Sequence, residues 1–213
     1  MIKQIAILGI HTGIGKTIAS AVIAQAIGAD YWKPVQAGTE ERDTVRVRDL
    51  LENGQSRVYD EAIVLTQPMS PHVAAQIDSV TIDYTKFRFP QTQKVLLIET
   101  AGGVLSPMND EATMADFVKH YNLPAILISQ NYLGSINHTL SSIELLRNRN
   151  IPLLGVVMNG ATNTSSESFI EQYGKTKIIA RVPLLKPIAQ ETVQKCADDI
   201  KASLLVHLHH VNH

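Results

Sequence analysis

Ile5-Ala6-Ile7-Leu8-Gly9-Ile10-His11-Thr12-Gly13-Ile14-Gly15-Lys16-Thr17 decides how this chain folds. Its first four residues are an unbroken apolar run, which suits a strand buried on both faces of a parallel sheet. Gly9 ends the run. From Thr17 to Ile27 the chain is rich in Ala and Ile, lacks Gly and Pro, and meets Gly28, a pattern that predicts a helix with a C-terminal stop signal. A glycine-rich turn between strand and helix gathers main-chain N–H groups and a helix N-terminus around one point, where they present positive potential to phosphate oxygens. Gly13 and Gly15 let the backbone approach closely and adopt positive φ. Lys16 is placed to reach β- and γ-phosphates, and Thr17 to offer its hydroxyl to Mg²⁺. The ordinary phosphate loop has four residues between its outer glycines. Here five separate Gly9 from Gly15, and Ile10 occupies the usual first-glycine position.

The same alternation continues downstream. Tyr31 to Val35 reads as a short strand in which Pro34 limits pairing, and Asp43 to Leu51 as a helix ended by Asn53-Gly54. Val95 to Ile98 is a strand that delivers Glu99 to its carboxyl end. Ala125 to Ile128, Leu153 to Met158 and Ile178 to Val182 complete the strands. Ile136 to Arg147 and Gln190 to Val206 read as helices. Parallel strands need crossovers, so the expected fold is α/β: a doubly wound, mainly parallel sheet flanked by helices, of the P-loop NTPase type. One domain is expected over residues 1–213, with the tail from about residue 205 disordered. Pro68, Pro71 and Pro90 break any long element between Gln67 and Gln93.

The 213 residues carry 19 basic and 20 acidic side chains, a net charge of -1, which argues against a general nucleic-acid binder. Hydrophobic residues at 45% argue against disorder. A single cysteine excludes an intrachain disulfide and a Cys-rich zinc site and suggests a reducing compartment. The apolar N-terminal run is too short for an export signal or a membrane span, so a cytoplasmic protein is expected, without membrane or nucleic-acid partners.

Two acids are placed to serve a divalent cation beside a triphosphate, since Mg²⁺ takes few carboxylates along with water and phosphate oxygens. Glu99 ends a strand and precedes the turn Thr100-Ala101-Gly102-Gly103, at the sheet edge where open α/β sheets bind ligands. Asp43 follows the second strand by a short loop, although Asp is also a favoured helix N-cap. Lys33 stands near the carboxyl end of that strand. It reads either as a solvated edge-strand lysine or as a cation that neutralises transferring phosphoryl charge.

Together these segments resemble the dethiobiotin synthetase family. Gly9-x-x-Thr12-x-x-Gly15-Lys16-Thr17 is similar to the family's phosphate loop, including its five-residue spacing. Lys33-Pro34-Val35-x-x-Gly38, Ser70-Pro71-His72, Glu99-Thr100-Ala101-Gly102-Gly103 and Leu133-Gly134-Ser135-Ile136-Asn137-His138 are similar to its later motifs. Asn159 sits where the family has an adenine-reading Asn, and Val182-Pro183 matches a later nucleotide-side segment. The likeness covers about residues 4 to 190.

The resemblance implies ATP-dependent carboxylation of 7,8-diaminononanoate with CO₂ and closure of a cyclic urea, through a carbamate and a carbamic–phosphoric anhydride. It implies ATP held by Gly13, Ile14, Gly15, Lys16, Thr17, Ile18, Asn159 and Pro183, and Mg²⁺ held by Thr17, Asp43 and Glu99. It implies a substrate held by Thr12, Lys33, Ala37, Gly134, Ser135, Ile136 and Asn137, with Lys33, Lys16 and Thr12 as the catalytic groups. In the family the Gly134–Asn137 loop comes from the neighbouring subunit, which implies a homodimer with the substrate site at its interface. Thr100 stands for a family glycine, Ala37 for a serine, and Gly13 for a Glu found in some relatives. The rival readings are another P-loop enzyme, such as a small-molecule kinase or amide synthase, and a partition- or septum-type ATPase switch. The switch class carries an extra lysine early in the loop, and Gly9 to Gly15 contains none.

Other residues invite less. His207, His209, His210 and His213 cluster near the C-terminus, a region usually poorly ordered, and read as adventitious metal binders at most. His11 reads as a loop residue, His72 and His138 as packing groups, and Cys196 as a small buried side chain. Arg42, Arg46 and Arg48 read as a solvated helical face.

Overall fold

The computed structural model describes residues 3–52 and 54–209. In chain order the elements are β1 (Gln4–Gly9), α1 (Lys16–Ile27), β2 (Asp30–Trp32), β3 (Val35–Ala37), α2 (Asp43–Leu50), β4 (Val58–Tyr59), β5 (Ile63–Leu65), α3 (Pro71–Ile77), a 3₁₀ turn (Tyr84–Lys86), β6 (Leu96–Glu99), α4 (Met114–His120), β7 (Ala125–Gln130), α5 (Ser135–Asn148), β8 (Leu153–Asn159), α6 (Thr164–Gly174), β9 (Ile178–Val182) and α7 (Gln190–His209). Seven strands form one sheet in the order β4-β2-β6-β1-β7-β8-β9, and their pairings are parallel.

The two faces of that sheet follow from the period of two along each strand. In β1, Ile5 and Ile7 face α1, α2 and α7, where they meet Ala19, Val22, Ile23, Val47 and Val193. Ala6 and Leu8 face the opposite layer, where they meet Phe117, Val118, Ile143 and Leu146 of α4 and α5. Both faces are therefore apolar, as a sheet covered by helices on both sides requires. Ile7 and Leu97 are fully buried, and truncating either to Ala costs about 2–5 kcal/mol.

Connectivity places the working edge. The chain leaves β1 toward β2 on one side of the sheet and, after β6, crosses with β7 to the other side. The carboxyl end of β1 lies at this reversal, the crevice in which open α/β sheets hold ligands.

One predicted strand divides. Tyr31 to Val35 is not continuous: β2 belongs to the main sheet, whereas β3 pairs with β5 in a separate two-stranded sheet, Val35 opposite Ile63. Pro34 causes the break. It has no N–H for a ladder, and its carbonyl accepts instead from the N–H groups of Ala62 and Ile63, both at 3.0 Å. Lys33 is thereby left at the end of β2, aimed along the sheet edge.

The Gln67–Gln93 stretch holds α3, with Pro71 in its first turn, and the 3₁₀ turn. Helix α7 continues past Val206 to His209. His210 and His213 lie outside the described residues. Among the described residues, no helix is long and apolar enough to cross a membrane.

Candidate active site

The loop from Ile10 to Gly15 bends over the end of β1 and feeds α1. Gly13 and Gly15 have φ of 75° and 84°, values an L side chain resists. Gly15 also stands against Asn159, whose Nδ2 donates to the Ile14 carbonyl at 3.0 Å, so a side chain at position 15 would collide with it. Ile14 is buried in the core and presents only its main chain to the loop. Ile18, in the first turn of α1, packs against the same core cluster. Asn159 ends β8 in register with Val182 of β9, which brings Pro183 to the same edge.

Beside this loop the ends of β2 and β6 and the start of α2 assemble a charged cluster. Glu99 ends β6 and is 1% exposed; Lys33 is 5% exposed, which discards the solvated-lysine reading. Lys33 Nζ pairs with Asp43 Oδ2 and lies 3.3 Å from Glu99 Oε1. Asp43 is the first residue of α2 and not its N-cap, a place Arg42 takes. Thr17 Oγ1 lies 2.6 Å from Asp43 Oδ1 and 3.2 Å from Glu99 Oε1. Lys16 reaches from the loop across to the Gly102 carbonyl at 2.6 Å.

These contacts set the charge states. Burial opposes the Lys33 ammonium, but Glu99 and Asp43 outweigh it and hold its pKa above the ordinary lysine value. Burial likewise opposes the Asp43 carboxylate, and the charge and hydrogen bond of Lys33, with the Thr17 hydroxyl, overcome it and hold Asp43 low. Lys16 differs. Burial pushes it down to about 8, and Glu99 and Asp43 only partly offset the combined effect of burial and Lys33.

A cleft of about 380 Å³ opens next to the cluster, lined by Thr12, Lys33, Ala37, Asp43, Ser70, Gly102 and Ser106. Thr12 also borders a second hollow of about 490 Å³ with His11, His138 and Ser142. The Gly134–Asn137 segment joins neither. Gly134 precedes α5 and Ser135 is buried, while Gly134, Ile136 and Asn137 line a separate surface hollow with Asn131 and Asn163. Within one chain, therefore, Thr12, Lys33 and Ala37 come together, and Gly134, Ser135, Ile136 and Asn137 do not join them.

Sequence reasoning missed Ser20, Tyr31 and the Gly102 carbonyl. Ser20 lies three residues after Thr17 on a helix, hence on the same face. Tyr31 lies two residues before Lys33, hence on the same side of an extended chain. Both hydroxyls reach Glu99 Oε2, at 2.7 and 3.1 Å. Cys196 is buried and Arg46 and Arg48 are exposed, as read from the sequence. Arg42, however, is not part of a solvated helical face: it stands at the N-cap of α2, is half-buried and pairs with Glu61.

A parallel sheet with a glycine-rich loop and a lysine at the β1–α1 turn defines the P-loop NTPase class. Solved structures agree on the fold: the cell-division ATPase MinD of Pyrococcus furiosus has a TM-score of 0.58 at 11% identity, covering 99% of this chain and 100% of its own. A ParA family ATPase from Chlorobium tepidum has a TM-score of 0.52 at 14% identity, covering 98% and 100%. Sequence comparison narrows the class. A family model described as an AAA domain matches residues 3–192. The ATP-dependent dethiobiotin synthetases BioD of Christiangramia forsetii and Brucella ovis are each 43% identical, over 85% and 90% of this chain and 88% and 91% of their own. That of Cytophaga hutchinsonii is 43% identical over 90% of this chain and 93% of its own. The chain belongs to the ATP-dependent dethiobiotin synthetase family, a family of ligases.

Proposed function

We propose that this chain converts 7,8-diaminononanoate, CO₂ and ATP to dethiobiotin, ADP and phosphate, the ring-closing step of biotin biosynthesis. One amine adds to CO₂ and loses a proton, giving a carbamate. A carbamate oxygen attacks the γ-phosphorus, the bond to the β-phosphate oxygen breaks, and ADP leaves. The second amine attacks the carbamoyl carbon, expels phosphate and loses a proton, closing the cyclic urea. A carbamate oxygen leaves poorly until phosphorylated, so the chemistry asks the protein mainly for positioning and charge neutralisation.

The residues suit that demand. The observation that carries the reading is the convergence of Thr12 and Lys33 on one cleft beside the phosphate loop, in a chain whose relatives match over nine tenths of its length. Lys33, held protonated by two carboxylates, neutralises the transferring phosphoryl group. Lys16 swings from the Gly102 carbonyl to the β- and γ-phosphates. Thr12 donates to the carbamate, and the loop amides from Gly13 to Thr17 hold the phosphates. Asn159 and Pro183 border the nucleotide base. Ala37 lines the diamine cleft without the hydroxyl a serine would add.

Thr17, Asp43 and Glu99 fit Mg²⁺, because the three oxygen donors face one another at 2.6 and 3.2 Å and are all hard ligands. Bound there, Mg²⁺ would neutralise charge on the β- and γ-phosphate oxygens. The Gly134–Asn137 segment opens α5, whose N-terminus suits the substrate carboxylate. Its separation from Lys33 fits a homodimer in which each subunit supplies this segment to its partner's cleft.

The test incubates purified protein with diaminononanoate, bicarbonate, Mg²⁺ and ATP, and measures the cyclic urea by mass. Product that requires all four components is the expected result. Phosphate release indifferent to the diamine would replace this reading with a nucleotide switch.

A further inference from the structure

Glu99 carries its two carboxylate oxygens in different surroundings. Oε2 accepts from Ser20 Oγ at 2.7 Å and from Tyr31 OH at 3.1 Å. Oε1 has only the longer approaches of Thr17 and Lys33, at 3.2 and 3.3 Å. Ser20 and Tyr31 are both fully buried, one on α1 and one on β2. Both groups are neutral donors and leave the carboxylate's charge intact. A carboxylate so held cannot swing about its last torsion without leaving two buried donors without a partner, a loss of the kind folded proteins avoid.

We propose that Ser20 and Tyr31 are positioning residues that clamp Oε2 of Glu99, so that this carboxylate offers a single oxygen, Oε1, to a divalent cation bound with nucleotide. The inference rests on the reading of Glu99 as a metal ligand given above. Neither Ser20 nor Tyr31 lines the cleft beside the phosphate loop. They act through Glu99, and their effect falls on the cation and spares the nucleotide's own contacts. A clamp that only satisfied a buried charge would affect folding and leave cation affinity untouched.

The experiment titrates Mn²⁺ into the full-length protein with ADP and follows free Mn²⁺ by electron paramagnetic resonance. Ser20→Ala and Tyr31→Phe each remove one hydroxyl with little change of shape. Each is expected to weaken Mn²⁺ binding by about tenfold, the low end for loss of a group that orients a ligand, while ADP affinity measured in EDTA stays at the parent value. Unchanged Mn²⁺ affinity in both variants overturns the clamp. Equal losses of Mn²⁺ affinity and of metal-free ADP affinity overturn it too, because the hydroxyls would then shape the fold. Glu99→Gln separates the two levels: if it leaves Mn²⁺ affinity unchanged, the ligand role of Glu99 fails and the clamp falls with it. A normal loss with Glu99→Gln, with no effect of Ser20→Ala or Tyr31→Phe, defeats the clamp alone.

Discussion

The phosphate-loop cluster and the segment before α5 are opposites. Around Glu99, the donors and charges are matched inside one chain: Lys33 against Asp43 and Glu99, Thr17 against both acids, Ser20 and Tyr31 against Glu99. Around Tyr132 to Asn137, the residues Tyr132, Leu133, Gly134 and Asn137 face outward while Ser135 is buried. Leu133 is fully exposed, and the hollow beside it is open surface. A buried charged cluster tolerates no unmatched member, because desolvation is costly. An exposed helix start tolerates one, because water serves it. The first region is prebuilt. The second, on the dimer reading, gains its purpose from a second copy.

That contrast can be broken by experiment, beginning where the effect is largest. Lys16→Ala is expected to lower kcat by about 10³-fold or more, as loss of a cation on transferring phosphates does, while circular dichroism shows the fold retained. Near-parental turnover would remove the loop from the chemistry. Lys33→Gln is expected to lower kcat by about 10²- to 10³-fold and to leave the ATP KM nearly unchanged, as steady-state kinetics would show. Equal damage to both would make Lys33 a nucleotide-holding group.

Leu133→Asp probes the exposed region. On the dimer reading it should raise the KM for the diamine by about tenfold, the equivalent of about 1.4 kcal/mol, and shift sedimentation toward monomer, with ATP binding intact. A variant that stays dimeric with an unchanged KM would detach this segment from the site.

The smallest effect is in pH. Burial holds Lys16 at about 8 in place of 10.5. The folded protein therefore loses that proton first, and above about 8 the unfolded chain binds more protons. Lys16 accordingly makes stability rise with pH from about 8 to 10.5. Phosphate binding needs the proton, so ADP affinity should fall over the range where stability rises, by at most about tenfold per pH unit. Calorimetric titration beside thermal melts checks the two opposite slopes, and Lys16→Ala should flatten both.

Much of the site was legible in the order of residue types. The strand Ile5–Leu8, the loop to Lys16 and the helix to Ile27 carry their own signals, and Glu99 stands at a strand end because Leu96 to Ile98 cannot leave the core. The helix α4 was not foreseen, although Thr113 and Asp116 form a capping box, with the Thr113 N–H donating to Asp116 at 2.8 Å. The short strands β4 and β5 carry too few residues for a period to register. Pro34 was read as a limit on one strand, but it parts two sheets, because the partner that claims its carbonyl lies some thirty residues away in sequence.

By itself the sequence determined the fold class, the phosphate loop and the presence of two lysines and two acids near it, since strand, turn and helix signals are local and repeat with fixed periods. Only the tertiary structure decided which oxygen of Glu99 meets Ser20 and Tyr31 and which meets Thr17 and Lys33, that Lys33 is buried between two carboxylates, and that Gly134 to Asn137 lies apart from them. Those facts depend on side chains from β2, β6, α1 and α2 meeting at one sheet edge, and their distances are set by packing across the whole core.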